Sequence, residues 1–127
     1  MTLDQKIVEA RAVLDAHITA LNARDAKAIS ATLHFPHFRL SGVTLKTWET
    51  PDSYFADFRA RAGGEWSHSA FEDIRVVDAS DDKVHFDLAV VRYDASSKEI
   101  ARFRSLWVIT SENGKWAAKV RSSFAAR

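Results

Sequence analysis

The spacing of apolar residues along this chain changes period about halfway. Between residues 3 and 21 the apolar positions are Leu3, Ile7, Val8, Leu14, Ile18 and Leu21 with alanines among them, a stripe that predicts one amphipathic helix. A second helix is expected from Asp25, whose carboxylate suits an N-cap, with Ala28, Ile29 and Leu33 turned inward. Pro36 should end it, because proline has no amide to donate and disfavours helical backbone at the preceding residue. Residues 38–40 and 43–48 read as two short strands around a Ser41-Gly42 turn. Thr50-Pro51-Asp52 then opens a third helix, with Thr50 as N-cap and proline at the first helical position. That helix presents Tyr54, Phe55 and Phe58 on one side and ends at Gly63-Gly64.

Beyond Glu65 the period falls to two. Residues 71–77 form one run, closed by an Asp81-Asp82 turn, and Val84, Phe86, Leu88 and Val90 then alternate with His85, Asp87 and Ala89. A strand over 100–110 puts Phe103, Ser105, Trp107 and Ile109 on one face, with Arg102, Arg104, Leu106 and Val108 on the other. Asn113-Gly114 is a strong hairpin signal. The last strand sets Trp116, Ala118, Val120, Ser122 and Phe124 on one face and Lys119 and Arg121 opposite. Helices first and a strand meander after them predict an α+β fold: three N-terminal helices packed on a curved antiparallel sheet, one domain over 1–127. The inward positions are strongly aromatic, so the cone between helices and sheet is expected to enclose a pocket. Its expected walls are Trp48, Phe55, Phe58 and Trp66 from the first half, with Phe38 beside them. Phe86, Leu88, Phe103, Trp107 and Phe124 are expected from the sheet. Such aromatics can equally fill a core.

Composition narrows the partners. Across 127 residues, 18 basic and 17 acidic side chains leave a charge of +1, which argues against a nucleic-acid or anionic-membrane surface as the main partner. With no cysteine there is neither a disulfide framework nor a thiol nucleophile. The opening Met-Thr-Leu-Asp-Gln-Lys lacks the apolar run of a signal peptide and no segment reads as a membrane span, so a cytoplasmic location is expected.

The segment Ala16-His17-Ile18-Thr19-Ala20-Leu21-Asn22-Ala23-Arg24-Asp25 resembles the first-helix signature of the nuclear transport factor 2-like superfamily. The ending resembles its closing hairpin, from Ser105-Leu106-Trp107-Val108 through Asn113-Gly114-Lys115-Trp116 to Arg121-Ser122-Ser123-Phe124. That superfamily includes ketosteroid isomerases, scytalone dehydratase, limonene epoxide hydrolase and the SnoaL-like polyketide cyclases. The resemblance implies a cystatin-like cone, and a homodimer through the outer sheet face, where Val91, Leu106 and Val108 lie. Counted from the shared Leu-Asn-Ala segment, the isomerase tyrosine position falls on His17, the base position near Ser41 and the protonated-aspartate position near Ser105. Both carboxylate positions therefore hold serine. The carboxylate–arginine–carboxylate set of the epoxide hydrolases has no match either, because the inner strand faces are expected to carry no Asp or Arg.

Histidine stands in their place. His17, His34, His37 and His68 all precede or open the strand meander, and an imidazole near neutral pKa can serve as acid or base. His17, His37 and His68 are the candidate catalytic groups; His34, at a helix end, is also explained by the helix dipole, and His85 by the surface. A zinc site is disfavoured, since His34 and His37 flank a proline with no third ligand nearby. Ser105 and Ser122, inward on neighbouring strands, would orient a ligand or relieve crowding beside bulky rings. The expected function is a small-molecule-binding domain for an apolar ligand, without cofactor. The alternative is a small cofactor-independent isomerase, dehydratase or cyclase running on pocket histidines.

Overall fold

The computed structural model describes the chain apart from residues 62–63 and 125–127, and apart from the side chains of residues 58–61. Its helices are α1 (Leu3–Asn22), α2 (Ala26–Ala31) and α3 (Pro51–Arg61). Its strands are β1 (Leu33–Ser41), β2 (Thr44–Trp48), β3 (His68–Ala79), β4 (Lys83–Tyr93), β5 (Glu99–Glu112) and β6 (Lys115–Ser123). They form one curved sheet in the order β2-β1-β6-β5-β4-β3.

Local chemistry accounts for most boundaries. α1 opens on a capping box: the Thr2 hydroxyl accepts from the Gln5 amide at 3.2 Å and the Gln5 side chain accepts from the Thr2 amide at 2.7 Å. Its buried stripe is Ala10, Val13, Leu14, His17 and Ala20, while Leu3 and Val8 face solvent. Asp25 caps α2 by accepting from the Ala28 amide at 3.1 Å. Asn113 and Gly114 both take positive φ, as their tight hairpin requires.

Three expectations are corrected here. Leu33 and Pro36 lie in β1 and not in a helix, because α2 stops at Ala31 and Thr32 turns the chain. Proline is tolerated there because the β1–β6 register is interrupted between Leu33 and Phe38. The sheet is not wholly antiparallel, since β1 runs parallel to β6. β6 also contains a bulge: Ile109 pairs with Ala118, but Val108 pairs with Val120. One extra residue reverses the alternation beyond that point, so Arg121 and Ser123 point inward where Val120 and Ser122 were expected.

Between helices and sheet lies an apolar core that includes Leu14, Ile29, Leu33, Val84, Phe86, Leu88 and Ile109. The outer sheet face is laced by ion pairs. Arg104 meets Asp87 at 2.6 Å and Asp73 at 3.0 Å, and Arg102 meets Glu72 and Glu99 at 3.0 Å each. Hydrogen bonds from Arg104 hold the Asp87 carboxyl below the usual range. Among the described residues no helix is long and apolar enough to cross a membrane.

Candidate functional site

The sheet register builds the site row by row. Arg39 pairs with Arg121, Arg121 with Trp107, and Trp107 with Phe86, so one inward row crosses four strands. The next row is Ser41, Ser123, Ser105 and Leu88. Over these rows lie His17, Ile18 and Leu21 of α1 and Tyr54 of α3, enclosing a cavity of about 70 Å³. Ser69, Phe71, Val90, Arg92 and Phe103 complete its lining from β3, β4 and β5.

Several polar groups in this wall are held by definite contacts. The Thr32 hydroxyl donates to the Ile29 carbonyl at 2.6 Å and lies 2.7 Å from His17 Nδ1. A hydroxyl has one proton to give, so His17 Nδ1–H donates to Thr32. The ring itself stands edge-on to Trp107, 5.0 Å between centroids. Ser105 and Ser123 share a hydrogen bond at 2.7 Å. The Arg121 guanidinium rests over Trp107 at 5.1 Å, and that of Arg92 over Phe103 at 4.9 Å. Asn22, at the end of α1, grips both backbone groups of Ser69 at 2.8 Å, tying the helix to the rim of the cavity. Trp107 Nε1 is a buried donor with no hydrogen-bond partner among the described residues.

The expected site residues are distributed unevenly over this geometry. His17, Phe103, Ser105 and Trp107 line the cavity. His37 does not: it is fully buried, donates through Nδ1 to the Ala118 carbonyl at 3.0 Å, and stacks on Trp48. Burial, and then the charge of Arg121, lowers its pKa to about 3, so it stays neutral near pH 7 and is no proton reservoir there. His68 stacks on Tyr93 at 5.0 Å and contacts the Ser67 hydroxyl, away from the cavity. His34 meets the Thr110 carbonyl at 2.9 Å. The four imidazoles therefore do not converge.

Among the expected walls, Trp48, Phe86 and Leu88 are core residues and Phe55 packs against that core. Phe38 lies on the opposite face of β1 from Arg39 and misses the cavity. Trp66 sits outside, under Arg24 and bonded through Nε1–H to the Ser69 hydroxyl at 2.8 Å. The β6 bulge turns Ser122 out, and Phe124 is 78% exposed just beyond the strand. The Phe58 side chain lies outside the described residues. Arg39, Arg92 and Arg121 overturn the expectation that no arginine faces inward.

No family model matches the chain, and no curated protein matches it. Solved structures do. A nuclear transport factor 2-like protein of unknown function from Shewanella oneidensis superposes with a TM-score of 0.78 at 11% identity, over 93% of this chain and 98% of that one. A ketosteroid isomerase-like protein from Erwinia carotovora gives 0.70 at 20% identity, over 94% and 96%. A protein of unknown function with a cystatin-like fold from Nostoc punctiforme gives 0.77 at 12%, over 97% and 91%. The chain has the nuclear transport factor 2-like fold. At such identities the likeness concerns the fold alone. The residues inside this nuclear transport factor 2-like cone must therefore speak for themselves.

Proposed function

We propose that this chain is a small-molecule-binding domain that takes its ligand in the cavity between α1, α3 and the inner sheet face. The observation that carries this reading is the cavity itself, bounded by rings and by polar side chains held in fixed orientations. At about 70 Å³ it has room for roughly five waters, or for a molecule of one ring or a short chain. The enzymatic alternative is weakened, because the candidate imidazoles at positions 37 and 68 lie away from the cavity. Among the described lining residues His17 is the one imidazole, and there is no carboxylate to act with it.

The test is thermal melting of the full chain across small acids, amides, alcohols and ketones. A ligand at about 100 times its Kd should add about 2.7 kcal/mol and raise the melting temperature by several degrees. A flat response to every compound would remove the binding reading.

A further inference from the structure

We infer that the ligand of this cavity is a small uncharged carboxamide, its carbonyl oxygen held by Trp107 Nε1–H and its amide N–H by Ser123 Oγ; this rests on the binding reading above. The charged side chains of the lining take no part in the assignment, since Arg39, Arg92 and Arg121 are each already engaged, as is His17.

The first ground is a donor. Trp107 lines the cavity from β5 and is 3% exposed, and its Nε1–H has no acceptor among the described residues. An indole nitrogen donates and cannot accept, so whatever satisfies it must bring a lone pair. A buried donor left without one is costly, and a ligand oxygen removes that cost. A hydrocarbon does not.

The second ground is an acceptor. Ser105 donates its proton to the Ser122 carbonyl at 3.3 Å, so the proton it shares with Ser123, at 2.7 Å, comes from Ser123. With that proton spent, Ser123 Oγ has only lone pairs to offer a ligand, and Ser123 lines the same cavity. A carboxylate would set its own lone pairs against these, and a ketone would leave them unmet. An amine would meet them but leave Trp107 unsatisfied, and no Asp or Glu among the described lining residues would balance its charge. Of these groups only a carboxamide brings an acceptor and a donor together without charge.

The spacing fits as well. Ser123 pairs with Ser105, which is two residues from Trp107 on the same face of β5, hence about 7 Å away along the strand. An amide group with a hydrogen bond at each end covers a similar distance. Leu21, Val90 and Phe103 supply an apolar wall for the acyl chain, and a volume of about 70 Å³ keeps that chain short.

The probes are propionamide, butanone and propionate, which share one shape and differ at the polar end, titrated into the isotope-labelled full chain and followed by NMR. Propionamide should bind roughly fivefold to tenfold more tightly than either of the others and shift the indole N–H resonance that Trp107→Phe removes. Trp107→Phe should weaken propionamide and butanone alike by roughly fivefold to tenfold. Ser123→Ala should weaken propionamide by a similar factor and leave butanone unchanged, and it keeps the test alive if Trp107→Phe fails to fold. Tighter binding of propionate, equal binding of the probes, or a Trp107 indole resonance unmoved by bound propionamide overturns the carboxamide assignment and leaves the binding reading standing. No binding of any probe, together with a flat melting response, overturns both proposals.

Discussion

The interior has two ends of different character, and α1 passes along both. At the end marked by Val84 and Ile109, Leu14, Ile29, Leu33 and Phe86 belong to one buried apolar cluster. Three residues further along the same helix, His17 faces a cavity bordered by Arg121, Ser105 and Ser123. The two histidines at 17 and 37 make the same comparison within one residue type. Both are buried and both donate through Nδ1, but His37 is enclosed by Trp48 and Tyr54 whereas His17 borders open space. Burial alone therefore does not separate a structural side chain from a site side chain in this fold. Whether the ring also borders the cavity does.

This contrast can be broken by measurement. Trp48→Ala, at the filled end, should cost about 4 kcal/mol in urea unfolding, since the site cannot collapse around so large a deletion. A loss below about 1 kcal/mol would mean that the filled end is looser than drawn.

Acidification should read out the enclosure of His37. Its pKa is lowered from 6.5 to about 3, so the unfolded chain takes up this proton first. The contribution to stability is complete above pH 6.5 and is lost as the pH falls toward 3, reaching about 3 kcal/mol by pH 4. His37→Gln, which keeps an N–H donor for Ala118, should lack that part of the slope. Identical pH profiles for the two proteins would show that the imidazole is not insulated.

Asn22→Ala removes two hydrogen bonds to Ser69 and should cost about 1–2 kcal/mol while loosening the rim of the cavity. Amide hydrogen exchange at the start of β3 should quicken with it. The smallest effect is expected from Arg39→Gln, within about 0.5 kcal/mol of the parent in the absence of ligand. If Arg39→Gln melted like a core variant, the division into two ends would fail.

Much of the fold was legible because its signals are local. The Asp25 cap, the Thr50-Pro51 start, the Asn113-Gly114 turn and the alternation from Val84 to Val90 each act over a few residues. The parallel pairing of β1 with β6 was not, since it joins segments about eighty residues apart and no local pattern records it. The site was less legible, for three different reasons. Arg92 was within reach: one more step of the alternation through Leu88 and Val90 puts it inside. Arg39 was hidden by reading β1 as beginning at Phe38, which set the apolar Phe38 inward in its place. Arg121 was out of reach, because the rule of alternation was applied correctly and the bulge cancels it. The histidines misled because an element that borders the cone need not turn its imidazole into it: His37 lies on β1 and His68 on β3, with three strands between them.

The bulge in β6 also bears on how cones of this shape come to differ. A strand slipped by one residue keeps its length, its backbone pairing and most of its composition, yet exchanges the whole set of side chains it shows the interior. In a strand of the same length without the bulge, Val120 and Ser122 would face the cavity in place of Arg121 and Ser123, whereas deleting Lys119 would remove the extra residue and leave Arg121 and Ser123 inward. A gapless alignment of this strand with one that lacks the bulge therefore compares inward residues with outward ones.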